Sequence, residues 1–194
     1  MTPLTQPRHT AEQYLRLERA ADGKSELVNG RTHAISGASR RHNLIVANLI
    51  GEIRAQLRGR PCEAYVSDMR VKVARTELYA YPGLAALCGE PRFEDSFVDT
   101  LLNPSVIVEV LSDSTEKCDR GEKFAHYRRL DSLREYILVA QNVRRIELYV
   151  RHGETWVFSE VSDPTGSLTI ESLGCSVSLA DIYDRIDFPT ADER

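Results

Sequence analysis

The sequence predicts an α/β or α+β domain, a mixed β-sheet flanked by helices. Three observations carry that prediction. Val106–Leu111 (VIVEVL) is a short β-branched run bounded by Pro104 and Ser112-Asp113, which reads as a central strand. Arg40–Leu57 repeats apolar residues at helical spacing through Leu44, Ile45, Leu49, Ile50, Ile53 and Leu57. Asn29-Gly30 stands between two extended runs, a strong signal for a tight hairpin turn.

The remaining elements follow in order. Thr10 is a helix N-cap with Glu12 in the first turn, and Ala11–Ala20 reads as a helix that Asp22-Gly23 ends. Ser25–Ser36 is the hairpin, with Glu26 on its first arm, and Ser39 caps the long helix. Cys62–Ala74 reads as one strand, Arg75–Glu77 as a turn and Leu78–Cys88 as a second strand. Pro82-Gly83 inside that second strand is anomalous, because both residues fit a central strand badly. Gly89–Asn103 is a polar connection to the central strand, and a charge-rich helix is expected over Asp119–Leu130. Arg134–Ala140 is a strand, and Ile146–Val150 with Trp156–Glu160 forms a hairpin around Gly153. Leu168–Ile170 adds a short strand and Leu179–Ile186 a closing helix.

At 194 residues one domain is expected, with its core over about 10–160 and loose ends at 1–9 and 187–194. The hydrophobic fraction of 42% and charged fraction of 28% are those of a soluble globular protein. No apolar run reaches membrane-spanning length, and the first residues lack an apolar signal region, so no membrane association and a cytoplasmic setting are expected. Cys62, Cys88, Cys118 and Cys175 form no CxxC pair, so neither a zinc knuckle nor a redox motif is indicated and free thiols are the expectation. The net charge of −4 argues against a uniformly basic nucleic-acid binder but leaves room for a local basic groove. Two arginine groups would supply one: Arg40, Arg41, Arg54, Arg58 and Arg60, and Arg128, Arg129 and Arg134. Solvated helix faces are the alternative account of both.

The chemistry begins with Glu109, a carboxylate in the middle of an apolar strand, which is costly unless something pairs with it. Asp119 and Lys123 follow, four apart and therefore on one helix face. A strand carboxylate followed by a helix lysine suits metal-assisted hydrolysis, since magnesium prefers hard oxygen donors and needs only one or two carboxylates. The same residues also suit a half-exposed edge strand and a solvated helix ion pair.

Read together, "YLRLE…KSELVNG" with Glu26, "SGASRRHN" with His42, "VEVLSDST" with Glu109, "DRGEKFAHY" with Asp119, Lys123 and Tyr127, and "EYILV" resemble the Uma-two family of restriction endonucleases. That family is a branch of the PD-(D/E)XK nuclease superfamily. The resemblance covers roughly Tyr14 to Tyr149. It implies a restriction-endonuclease-like fold, with a four-stranded mixed core sheet and a helix on each side, and an endonuclease that hydrolyses DNA phosphodiesters with Mg2+ or Mn2+. The implied partner is DNA, and a homodimer fits an enzyme that cuts both strands. Leu111 stands where the motif would place its lysine, so Lys123 is the natural substitute. Glu26 and His42 are accessory positions, His42 either as a proton carrier or as a structural hydrogen-bonding residue at a helix start.

One departure matters most. The family expects Pro-Asp before the connection, and this chain has Pro82-Gly83. The metal-binding carboxylate is therefore missing, which implies impaired cleavage, an ion not bound in this chain, or a catalytically inactive protein that binds DNA or a protein partner. Asp68 is a candidate substitute: if the two preceding strands pair around a two-residue turn, it lies opposite position 83 with its Cβ ~4.5–5.5 Å away. Capping or pairing of Asp68 elsewhere is the alternative.

Overall fold

The computed structural model describes residues 8–113 and 115–188; the expectations for 1–7 and 189–194 fall outside them. Helix α1 (Ala11–Glu18) starts at Thr10, whose hydroxyl accepts from the Gln13 amide while the Gln13 side chain accepts from the Thr10 amide. Strands β1 (Ser25–Val28) and β2 (Arg31–Ala34) form the expected hairpin. Its turn residues Asn29 and Gly30 have φ of 51° and 78°, the left-handed pair that this tight turn requires. Helix α2 (Arg40–Leu57) is capped by Ser39 and buries Ile45, Leu49, Ile53 and Leu57.

The next stretch differs from the expectation in an informative way. Residues 62–74 make two strands, β3 (Cys62–Val66) and β4 (Arg70–Val73), which enter different sheets. Residues 78–88 likewise divide into β5 (Leu78–Ala80) and β6 (Leu84–Cys88). Pro82 lies at the second crossing, where the chain leaves one sheet for the other and its missing N–H breaks no ladder. The polar connection contains β7 (Thr100–Leu101).

Strand β8 (Val106–Leu111) is followed by helix α3 over residues 116–127. This helix is α-helical at both ends and π-helical over Asp119–Lys123. Then come β9 (Glu135–Ala140), β10 (Ile146–His152), β11 (Thr155–Val161), β12 (Ser167–Ile170), β13 (Cys175–Ser178) and α4 (Leu179–Ile182).

The main sheet has six strands in the order β11-β10-β9-β8-β6-β3, more than the four implied above. It is mixed: β8 and β9 are parallel and its other neighbours antiparallel. A second sheet runs β2-β1-β5-β4-β7. Strand β8 alternates between two cores. Val106, Val108 and Val110 pack with the buried face of α2. Ile107 and Leu111 pack with Tyr127 of α3 and with Val71, Val73, Leu78 and Ala80 of the second sheet. Glu109 shares the parity of Ile107 and Leu111, so it projects toward α3.

The free-thiol expectation is corrected for two of the four cysteines. Cys62 and Cys88 stand directly opposite each other in the β3–β6 ladder, 3.9 Å apart at Cα, and form a disulfide. Cys118 and Cys175 are free. The pairing removes the thiol argument for a cytoplasmic setting. Among the described residues, no helix is long and apolar enough to cross a membrane.

Candidate active site

Four charged side chains from three separate elements meet at the end of β8. Glu26 comes from β1, Glu109 from β8, and Asp119 and Lys123 from the π-helical turn of α3. The Lys123 ammonium lies 3.1 Å from Glu26 Oε1, 3.3 Å from Glu109 Oε1 and 3.4 Å from Asp119 Oδ1. The lysine side chain is only 10% exposed, so these contacts form in a desolvated setting. The edge-strand account of Glu109 and the solvated-pair account of Asp119–Lys123 are therefore excluded.

The two glutamates are anchored by further hydrogen bonds. Glu109 Oε1 accepts from the Tyr127 hydroxyl at 3.2 Å, and Oε2 accepts from the Gly83 amide at 3.3 Å. Glu26 Oε1 accepts from the Tyr81 amide at 3.0 Å. The backbone carbonyl of Asp119 accepts from the Tyr136 hydroxyl at 2.8 Å, which pins the π-helical turn to β9. The Tyr81 segment is itself fixed: its hydroxyl donates to Glu18 and accepts from Arg70, and Arg70 is paired with Asp99.

The backbone at position 83 reaches the cluster through its amide, while a side chain there would start toward α2. The β6–β8 ladder pairs Leu84 with Val108, and one residue further sets Gly83 against Glu109. There is no vacancy above it, however. A Cβ added to Gly83 would come within 3.2 Å of the Val108 carbonyl oxygen and 3.7 Å of Val46 Cγ2. The proposed substitution by Asp68 is corrected here. In the β3–β6 ladder Val66 pairs with Leu84, so residue 67 rather than 68 would continue opposite 83. Asp68 lies in the turn before β4, its side chain is 85% exposed, and it pairs with Lys24 at 2.7 Å. The expected register holds in β4–β5, where Val73 pairs with Leu78, but β3–β6 is offset by one residue and Asp68 falls in the exposed turn between β3 and β4.

His42, in the first turn of α2, is half-buried. Burial lowers its pKa, a hydrogen bond to the Val110 backbone opposes that, and the charge of Asp119 reaches it. It stands beside the cluster through the backbone of β8.

Burial pushes the Glu109 carboxyl up to about 8; Lys123 opposes the shift, while Asp119 and Glu26 add to it. Burial also raises Asp119. For Lys123, burial works against the ammonium, but Glu109, Glu26 and Asp119 outweigh it and hold the pKa above its ordinary value. The cluster is thus a fixed cation among carboxylates, one of which keeps its proton near neutrality.

A small hard cation is tested by the donors present. Asp119 Oδ1 is buried with no hydrogen bond beyond its 3.4 Å ion pair to Lys123, and Glu109 Oε2 has only the long contact from Gly83. These are hard oxygen donors, and the pair fits a magnesium-like ion in kind. Among the described residues, no three acidic, histidine or cysteine side chains already enclose an ion-sized gap. The Lys123 ammonium occupies the point where the carboxylates converge.

The Uma2 family, described as "Putative restriction endonuclease", matches residues 11–180. The chain belongs to this family. Two proteins of Synechocystis, both named uncharacterized proteins, are similar to it. One is 39% identical over 153 residues, 78% of this chain and 86% of its own; the other is 31% identical over 183 residues, 94% and 95%. The crystal structure of a protein from Anabaena variabilis described as a "putative nuclease" matches with a TM-score of 0.75 at 14% identity, covering 90% of this chain and 97% of its own. That likeness gives the fold. Within the Uma2 chain, reasoning from sequence missed the part of Tyr127 in holding Glu109. Tyr127 lies four residues after Lys123, so helical spacing alone put both on one face. The Tyr81–Glu26 bond carried no such signal, because it depends on how β5 meets β1.

Proposed function

We propose that this chain is a metal-dependent endonuclease for DNA phosphodiesters, weakened by glycine at position 83. The observation that carries the reading is the meeting of Glu26, Glu109 and Asp119 on one buried lysine, beside the Gly83 amide. A purely structural ion pair needs one carboxylate; three around one ammonium is an arrangement whose desolvation cost calls for a ligand or a reaction. Glu109 and Asp119 are the residues that would hold Mg2+ or Mn2+. When bound, the ion would stabilise charge on the phosphate oxygens and supply a more acidic water.

The chain's own groups do the remaining work. Lys123, kept charged, donates to oxygen where negative charge develops during phosphoryl transfer. Glu26 orients that ammonium and is itself held by the Tyr81 amide. His42 holds the Val110 carbonyl in place beside Glu109. Gly83 offers an amide and no carboxylate, so the donor set is one side chain short of the family pattern. Cutting both strands of a duplex takes two sites, so a homodimer accompanies this reading.

The test is nicking of supercoiled DNA with Mg2+ or Mn2+, by the chain as it stands and by Gly83→Asp. Weak nicking that the substitution strengthens, and that Lys123→Ala abolishes, supports the proposal. Failure of both proteins to nick refutes it. A second reading, DNA binding without hydrolysis, is favoured by the bare backbone at 83; retained DNA affinity in proteins that never nick would select it.

A further inference from the structure

We infer that His33 is a substrate-contacting residue, donating a hydrogen bond to a non-bridging oxygen of a phosphodiester held at the mouth of the carboxylate cluster. The inference rests on the nuclease reading for the identity of the ligand, but on the β1–β2 ladder for the position of the residue. That ladder sets Glu26 directly opposite His33. Directly opposed residues of an antiparallel pair project from the same face, with Cβ atoms ~4.5–5.5 Å apart. Glu26 points at Lys123, so His33 stands on the face of the ribbon that faces the cluster.

The two residues differ in setting. Glu26 is mostly covered, whereas His33 is exposed on β2, the edge strand of the second sheet. Exposed beside a buried cluster is where a side chain meets a ligand that cannot itself enter. The hairpin is also steadied against α3, because the Asn29 side chain donates to Glu122 at 3.0 Å. His33 is therefore carried on a fixed arm rather than a free loop. Imidazole suits the contact: it donates an N–H to phosphate oxygen, and its compact ring fits beside a carboxylate that would repel a second acid.

Binding of a short fluorescent DNA duplex, followed by anisotropy in Mg2+, tests this with His33→Ala, His33→Gln and the distant control His152→Ala. Loss of a hydrogen bond to a charged partner predicts about tenfold weaker binding for His33→Ala. His33→Gln keeps a donor and should recover most of that affinity; His152→Ala should bind like the parent. The melting temperature of His33→Ala should stay close to the parent's, since the residue is exposed on an edge strand. Unchanged affinity in His33→Ala, an equal loss in His152→Ala, or no DNA binding by the parent would each overturn the inference. Nicking activity separates the two proposals. His33-dependent binding by proteins that never nick removes hydrolysis and keeps the contact. Nicking with affinity indifferent to His33 does the reverse.

Discussion

Replacing Lys123 by methionine should turn the cluster from a paired network into three buried carboxylates without a cation. The lysine contacts Glu26, Glu109 and Asp119 at 3.1–3.4 Å, and all four side chains are largely covered. Breaking a buried ion pair by removing one partner costs about 3–5 kcal/mol, because the other charge stays behind. Methionine keeps the length and the apolar stem, so little of the loss comes from packing. In a chain of this size each kcal/mol moves the melting temperature by roughly 2–4 °C, so a fall on the order of 10 °C is expected at pH 8.

The variant should also answer to pH and to divalent cations. Lowering the pH protonates the stranded carboxyls and should restore most of the lost stability. Added Mg2+ or Mn2+ should do the same at pH 8, by about 2.7 kcal/mol when the ion is present at a hundred times its dissociation constant. Calorimetry at pH 5 and 8, with and without ion, measures all three effects. A Lys123→Met protein that melts like its parent at pH 8 would show that the cluster is not the coupled unit described above.

Further outcomes follow from the same geometry. Glu109 has a folded pKa of about 8, above the ordinary carboxylate range, so the native state keeps a proton that the unfolded chain releases. Stability should therefore fall as pH rises from the ordinary carboxylate range through about 8, and Glu109→Gln should flatten that part of the pH–stability curve. Ion binding needs the carboxylate, so Mg2+ affinity measured by calorimetry should rise over the same window. Tyr127→Phe removes one donor to Glu109 and should cost about 1 kcal/mol in urea unfolding, with no gain elsewhere in the buried ring cluster. Changing Cys62 and Cys88 together to serine opens a loop with a sequence separation of 26 and should cost roughly 3–4 kcal/mol, read as a lower urea midpoint than that of the oxidised parent.

Much of the scaffold was legible because its signals are local. Asn29-Gly30 needed only its turn conformation, α2 its periodicity and Ser39 cap, and β8 its β-branched run between breakers. What escaped was non-local. Pro82 and the turn at 67–69 each send the chain from one sheet to the other, so β3 pairs with β6 while β4 and β5 pair elsewhere. Nothing in the alternation of residues 62–88 announces that exchange. Cys62 and Cys88 consequently looked like scattered thiols, and Asp68 looked like a neighbour of position 83. The convergence of Glu26, Glu109, Asp119 and Lys123 came through family resemblance; spacing offered only the Asp119–Lys123 face.

Glycine at position 83 limits the negative charge gathered around Lys123. With glycine there, the site holds three carboxylates and one ammonium, and the proton that Glu109 retains near neutrality reduces the excess of negative charge. A fourth carboxylate beside the cluster would deepen that excess, because like charges in a desolvated site disfavour one another. The excess negative charge would then favour a divalent cation over the single ammonium. Gly83→Asp must first make room, since its Cβ would crowd the Val108 carbonyl at 3.2 Å. The substitution should therefore lower stability in ion-free buffer and regain it on adding Mg2+ or Mn2+. The parent, with one carboxylate fewer, should respond less to the same ions, and an equal response in the two proteins would refute the charge argument.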